Sequence, residues 1–219
     1  MDHLPRSPGV SALCALPPEI FTLPVGSALA RIWFAASPHP SGFALFRHFG
    51  PTASRFDHHL PGPGGRSQSG DRGILYAVHA DGDSLTLATA LAEVFQDSRL
   101  IDLTVGDPHL AIFRSTRDLA LLDLTGHWTT KAGAHAGLSS GPRKITREWS
   151  RDFYDAYPGI EGLRYRSAMS GGCSISVALF ERARTAMPPH PLLDRSLADP
   201  SLLEQVTNAG DLLGYQVVP

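Results

Sequence analysis

Apolar residues along the chain gather into short runs separated by turn residues. Ala28–Ala35 (ALARIWFA) is apolar and aromatic, with Arg31 in its middle, and predicts a strand. Further strands are predicted at Ile74–His79 (ILYAVH), Arg99–Thr104 (RLIDLT), Leu110–Arg114 (LAIFR), Leu119–Leu124 (LALLDL), Leu163–Ser167 and Cys173–Phe180 (CSISVALF). Asp83–Asp97 (DSLTLATALAEVFQD) follows a helical rule instead. Leu87, Leu91, Val94 and Phe95 fall at i, i+4, i+7 and i+8, and Asp83 or Ser84 can cap the start. Glu93 stands about 200° round from Leu91, off that stripe. Thr146–Tyr157 repeats the rule with Trp149, Phe153 and Tyr157, and Pro158-Gly159 stops it. A last helix is predicted from Asp199-Pro200, using Leu202, Leu203, Val206, Leu212 and Leu213. Strands and helices mix without regular βαβ alternation. This predicts an α+β fold, a mixed β-sheet core with flanking helices.

Turn residues set the expected boundaries. Residues 1–27 are rich in proline and read as an extended arm or surface wrap outside the domain. The domain is expected over 28–185, followed by a C-terminal segment, 186–219, whose helix packs on the core. Within the domain, PGPGGRSQSGDRG at 61–73 reads as a loop.

Composition narrows the function classes. A chain of 219 residues suits one domain, and 42% hydrophobic residues are ample for a core. Charged residues make up 18%, below the roughly 25% of typical globular proteins, so Ser, Thr, Gly and His must carry much of the surface. A net charge of -2 removes the usual electrostatic footprint of a nucleic-acid binder. Cys14 and Cys173 have no metal or redox spacing and are expected to be reduced thiols. VSALCAL is too short for a signal sequence, and no window nears the roughly 18 apolar residues of a membrane span. A soluble cytoplasmic protein is expected.

Single residues carry little chemistry by themselves. The ten histidines contain no HExxH, and the adjacent His58-His59 would face opposite ways in a strand, so no metal site is expected. GLRYRSAMSGG, Gly162–Gly172, offers serines and arginines beside glycines, yet holds neither GxSxG, GxxxxGK[ST] nor GxGxxG. A helical glutamate such as Glu93 ordinarily faces water, and Tyr76 reads as a core or edge aromatic with a satisfied hydroxyl. Arg31 is the odd residue. Its neighbours want burial, so its guanidinium needs an anionic partner or an exit to a cleft. A buried ion pair and a ligand site are both open on this feature.

Taken in order, the set says more. Arg31 in LARIW, Arg55 in SRFD, Tyr76 in GILYA, Glu93 in TALAEVF and Ser167 in LRYRS are followed by ISVALF. Over roughly Ala28 to Phe180 the chain resembles the RES-domain family, mostly toxins of bacterial RES–Xre toxin–antitoxin modules. It departs from the family's pattern at His58-His59 and in the longer loop at 61–73. The resemblance implies an ADP-ribosyltransferase-like fold with an NAD-binding cleft, and an enzyme that degrades NAD by cleaving the nicotinamide–ribose bond. Water or phosphate would be the acceptor. It also implies a cognate Xre-type helix-turn-helix antitoxin as partner, and a homodimer is conceivable within that complex. The alternatives are a mono-ADP-ribosyltransferase acting on a protein, and a catalytically silent nucleotide-binding module. NAD is then a substrate, with no metal, no direct nucleic-acid contact and no membrane.

The residue chemistry suits these implied roles. A carboxylate stabilises an oxocarbenium-like ribose, the role of Glu93. Guanidinium forks match pyrophosphate oxygens, which suits Arg31 and Arg55. The Tyr76 ring can stack on nicotinamide. Ser167 is expected to hydrogen-bond the nicotinamide-ribose end, and Tyr165 to line the pocket. Glu93, Arg31 and Ser167 form the implied catalytic set; Arg31, Arg55, Tyr76 and Ser167 the NAD contacts.

Overall fold

The computed structural model describes residues 4–39, 41–80 and 85–219. The expected caps Asp83 and Ser84 lie outside them. Strands are β1 (Ile20–Leu23), β2 (Ala28–Phe34), β3 (Phe49–Gly50), β4 (Ser67–Gln68), β5 (Ile74–His79), β6 (Leu100–Asp102), β7 (Pro108–Arg114), β8 (Leu119–Asp123), β9 (Gly162–Arg166), β10 (Ile175–Phe180), β11 (Leu193–Ser196) and β12 (Gln216–Val218). Helices are α1 (Val10–Cys14), α2 (Leu85–Phe95), α3 (Trp128–Lys131), α4 (Arg143–Ala156) and α5 (Leu203–Leu213). One large sheet runs in the order β1-β8-β9-β10-β5-β2-β7-β11. Its pairs are antiparallel except β8 with β9, so the sheet is mixed, as expected for α+β.

Alternation along the central strands divides the core. Ile74 of β5, Ala178 of β10 and Leu122 of β8 join a cluster built on Trp149 and Phe153 of α4. Their neighbours Leu75, Val177 and Leu121 join a second cluster with Phe113 and Leu119. Period-two alternation sends successive residues to opposite faces, and both faces are covered. That is why β10, ISVALF, is buried along its whole length. A third cluster packs α2 and α5 against Ile32, Val78 and Leu110.

Three segments show what the hydrophobic pattern alone misses. Residues 4–27 form no outer arm: β1 pairs with β8 at the edge of the large sheet, and Leu4 and Leu13 are core residues. Trp149 Nε1 and Trp128 Nε1 donate to the carbonyls of Pro5 (2.8 Å) and Pro17 (2.9 Å). The elements in this segment, VSALC and IFTL, are too short to show a period. At the C-terminus, α5 ends at Gly214, whose φ of 66° suits the left-handed helix cap, and β12 then pairs parallel with β6. In α2, Leu91 and Phe95 of the expected stripe are buried, but so are Ala88, Thr89, Ala90 and Ala92 off it. Val94, counted on the apolar stripe, is 37% exposed. The helix is enclosed by the sheet and α5, so a position off the stripe need not face water.

Candidate active site

The large sheet is unevenly stitched at its middle. β2 pairs with β7 along its whole length, but with β5 only at Leu29↔His79 and Ala30↔Val78. Beyond that point β2 and β5 part, and a cavity of about 530 Å³ opens between them. That volume is within the range of small-molecule sites. Arg31, Arg55, Tyr76, Glu93, Arg143 and Tyr165 line it. Arg31 is the first β2 residue past the paired stretch.

Glu93 enters from the last turn of α2. Ser167 Oγ donates to Glu93 Oε1 at 2.6 Å and accepts from Met169 N at 3.1 Å. Ser167 follows β9 and caps the short turn Ala168–Ser170. Gly171 and Gly172, with φ of 62° and 81°, then lead the chain round towards β10. Thr89 Oγ1 bonds Ser174 Oγ at 2.9 Å, so α2 and this turn are fastened at two points. Burial pushes the Glu93 carboxyl up, while Ser167, Arg55 and Arg143 draw it back down, and the net shift is upward.

Ser167 is fully buried and commits its hydroxyl proton to Glu93. It lines a neighbouring cavity of about 380 Å³, with Thr125, Thr129, Ser140 and Arg166, and is absent from the lining of the larger one. The sequence suggested a direct substrate contact for Ser167; in the structure its hydroxyl bonds Glu93 and borders the smaller cavity.

Arg31 is half-buried and bonds the carbonyls of Phe43 (3.3 Å) and Leu45 (3.5 Å) through Nη1, while its buried Nε makes no hydrogen bond among the described residues. No carboxylate among the described residues pairs with it. Burial, then the charge of Arg47, brings it down to about 10. Of the two readings open on the sequence, the internal ion pair is therefore absent among the described residues. Arg55 Nη1 donates to Gly141 O at 2.5 Å, and Thr146 Oγ1 holds the Arg55 carbonyl at 3.0 Å. Burial and Arg143 lower Arg55, against the pull of Glu93. The Tyr76 hydroxyl is buried without a hydrogen bond, and burial pushes it up. Buried polar atoms left unpaired cost about 1–3 kcal/mol each, so this cavity holds hydrogen-bonding capacity suited to a ligand.

The sequence reading missed two cations of the cavity. Arg143 opens α4, donates to Gln96 Oε1 at 2.8 Å and lies 3.6 Å from Asp97 Oδ1. A cation in the first turn of a helix opposes the helix dipole, which is the one sequence signal it left. Arg66 reaches the cavity from the 61–73 loop, where composition gives no signal. No group of three or more His, Cys, Asp or Glu among the described residues is placed to hold a metal ion, and no helix among them is long and apolar enough to cross a membrane.

Fold and site together define an α+β protein with a half-buried carboxylate beside several arginines where its large mixed sheet divides. The model of the RES domain matches residues 30–198, and the chain belongs to the RES-domain family. That span carries Arg31, Arg55, Tyr76, Glu93 and Ser167 and runs past β11. The chain is also similar to one in the crystal structure of the M. tuberculosis MbcT–MbcA toxin–antitoxin complex. The TM-score is 0.54 at 14% identity, covering 90% of this chain and 96% of that one, a likeness of fold. No curated protein matches significantly.

Proposed function

We propose that the chain is a toxin that degrades NAD by cleaving its nicotinamide–ribose bond. One observation carries this reading. Glu93 is held by Ser167 in a cavity also lined by Arg31, a cation with no acid partner among the described residues. A half-buried guanidinium without a counter-charge suits an anionic ligand, and pyrophosphate matches its fork. A carboxylate in the same cavity suits a reacting centre that gains positive charge.

When the glycosidic C–N bond breaks, both electrons leave with nicotinamide, which departs neutral and needs no proton. The ribose carbon becomes oxocarbenium-like, and the Glu93 carboxylate stabilises it. Water or phosphate then forms the new C–O bond; water gives up its proton and yields ADP-ribose, phosphate yields a phosphorylated ADP-ribose. Arg31 and Arg55 hold the pyrophosphate, and Tyr76 stacks on the nicotinamide ring.

By family, the partner is a cognate Xre-type helix-turn-helix antitoxin that covers the cleft in the cytoplasm, with DNA binding left to that partner. The similar M. tuberculosis chain is described in a toxin–antitoxin complex, which supports this assignment. Incubation with adenine-labelled NAD, with and without phosphate, tests the reaction. Label in free ADP-ribose or its phosphate supports cleavage to a small acceptor, and label on protein supports mono-ADP-ribosyl transfer instead.

A further inference from the structure

Asp57 belongs to the SRFDHH stretch but does not line the cavity, and it is fully buried. A buried carboxylate must be paired, and this one is paired densely. Its Oδ2 accepts from Arg47 Nη2 at 2.8 Å, Thr52 N at 2.7 Å and Thr52 Oγ1 at 2.9 Å. Its Oδ1 accepts from His59 N at 3.2 Å and lies 2.5 Å from His59 Nδ1. Burial alone would raise the carboxyl, but His59, Arg47 and Thr52 together hold it below the ordinary carboxylate range.

These partners meet the cavity on two sides. Thr52, Ala53, Ser54 and Arg55 form part of its wall, and Thr52 begins that run. The Thr52 carbonyl accepts from Arg147 of α4, so its peptide is gripped by α4 and Asp57 together. Arg47 is the cation whose charge acts on Arg31. Asp57 pairs with Arg47 at 2.8 Å and so offsets that charge. His59 fits beneath because residue 50 is glycine: a Cβ there would fall 2.6 Å from its ring.

We propose that Asp57 is a positioning residue, which pairs with Arg47 and fixes the Thr52–Arg55 wall so that the cavity keeps its shape for an anionic substrate. Its action on NAD rests on the function proposed above. Glu93 and Ser167 stand on α2 and the turn after β9, outside this network. Losing Asp57 should therefore impair binding more than the chemical step.

The test compares Asp57→Asn and Thr52→Val with the unaltered protein, by NAD kinetics and by amide hydrogen exchange without ligand. Asp57→Asn should raise KM about 10-fold or more with kcat within about 3-fold, and speed exchange across residues 52–55 about 10-fold. Thr52→Val, which removes one of the bonds, should shift both about 3-fold in the same direction. Unchanged KM and exchange, or a fall in kcat at constant KM, overturns the proposal. Should Asp57→Asn fail to fold, Thr52→Val decides by the same criteria. If the unaltered protein does not consume NAD, the functional reading falls, and exchange at 52–55 alone decides the positioning role.

Discussion

Ser167 Oγ donates to Glu93 Oε1 at 2.6 Å, joining the turn after β9 to the last turn of α2. The bond fixes the carboxylate in an enclosed place and holds its charge against the cost of burial.

Glu93→Gln keeps the shape and removes the charge. It should lower kcat by about 10³-fold while NAD binding stays within a few-fold, measured by turnover and calorimetry. Ser167→Ala should lower kcat about 10-fold to 100-fold with KM little changed, because the serine acts through Glu93.

Arg31→Ala should do the reverse. Removing the uncompensated guanidinium should raise KM for NAD about 10² fold, with a smaller change in kcat at saturation. Equal losses of kcat and kcat/KM, with KM unchanged, would move Arg31 from binding to the chemical step.

The pH profile follows from the environment of Glu93. The ionised carboxylate is the active form, and burial raises its pKa, so kcat should fall at acid pH along a limb above the ordinary glutamate range. Ser167→Ala removes a bond to the charged form and should move that limb further up. A limb that stays in place would separate the titration from Glu93.

Stability at low pH reports on another buried carboxylate. Burial tends to raise Glu181, yet nearby His58, at 3.7 Å, and bonds from the Gly73 amide and Tyr154 outweigh it and bring it from 4.5 down to about 2. A depressed folded-state pKa adds stability above 4.5 that disappears as pH falls from 4.5 to 2. Denaturation of Glu181→Gln should show a shallower loss across that window than the unaltered protein. Asp57 contributes in the same direction, so some slope should remain.

Much of the fold was legible because its central strands are apolar runs: Ile74–His79 was bounded correctly, and β2 and β7 to within a few residues. Residues 4–27 were not legible as part of the sheet, since β1 gains its place from pairing with β8, almost 100 positions away. Arg31 stood out because a cation inside LARIWF violates the burial pattern. Glu93 gave no such signal, since helical period puts it off the stripe and only the packing of α5 and the sheet shows that this side is enclosed. Ser167, Arg55 and Tyr76 were found through the family's order of residues. Arg143 and Asp57 needed the folded chain, because their partners lie on other segments or in a loop without period.

The most direct measurement of the central claim is nicotinamide release from NAD by the purified protein beside its Glu93→Gln variant, with and without phosphate. The account predicts steady release by the unaltered protein, accompanied by ADP-ribose or its phosphate, and about 10³-fold less by the variant. Unconsumed NAD in the first case, or equal release by both proteins, would contradict it.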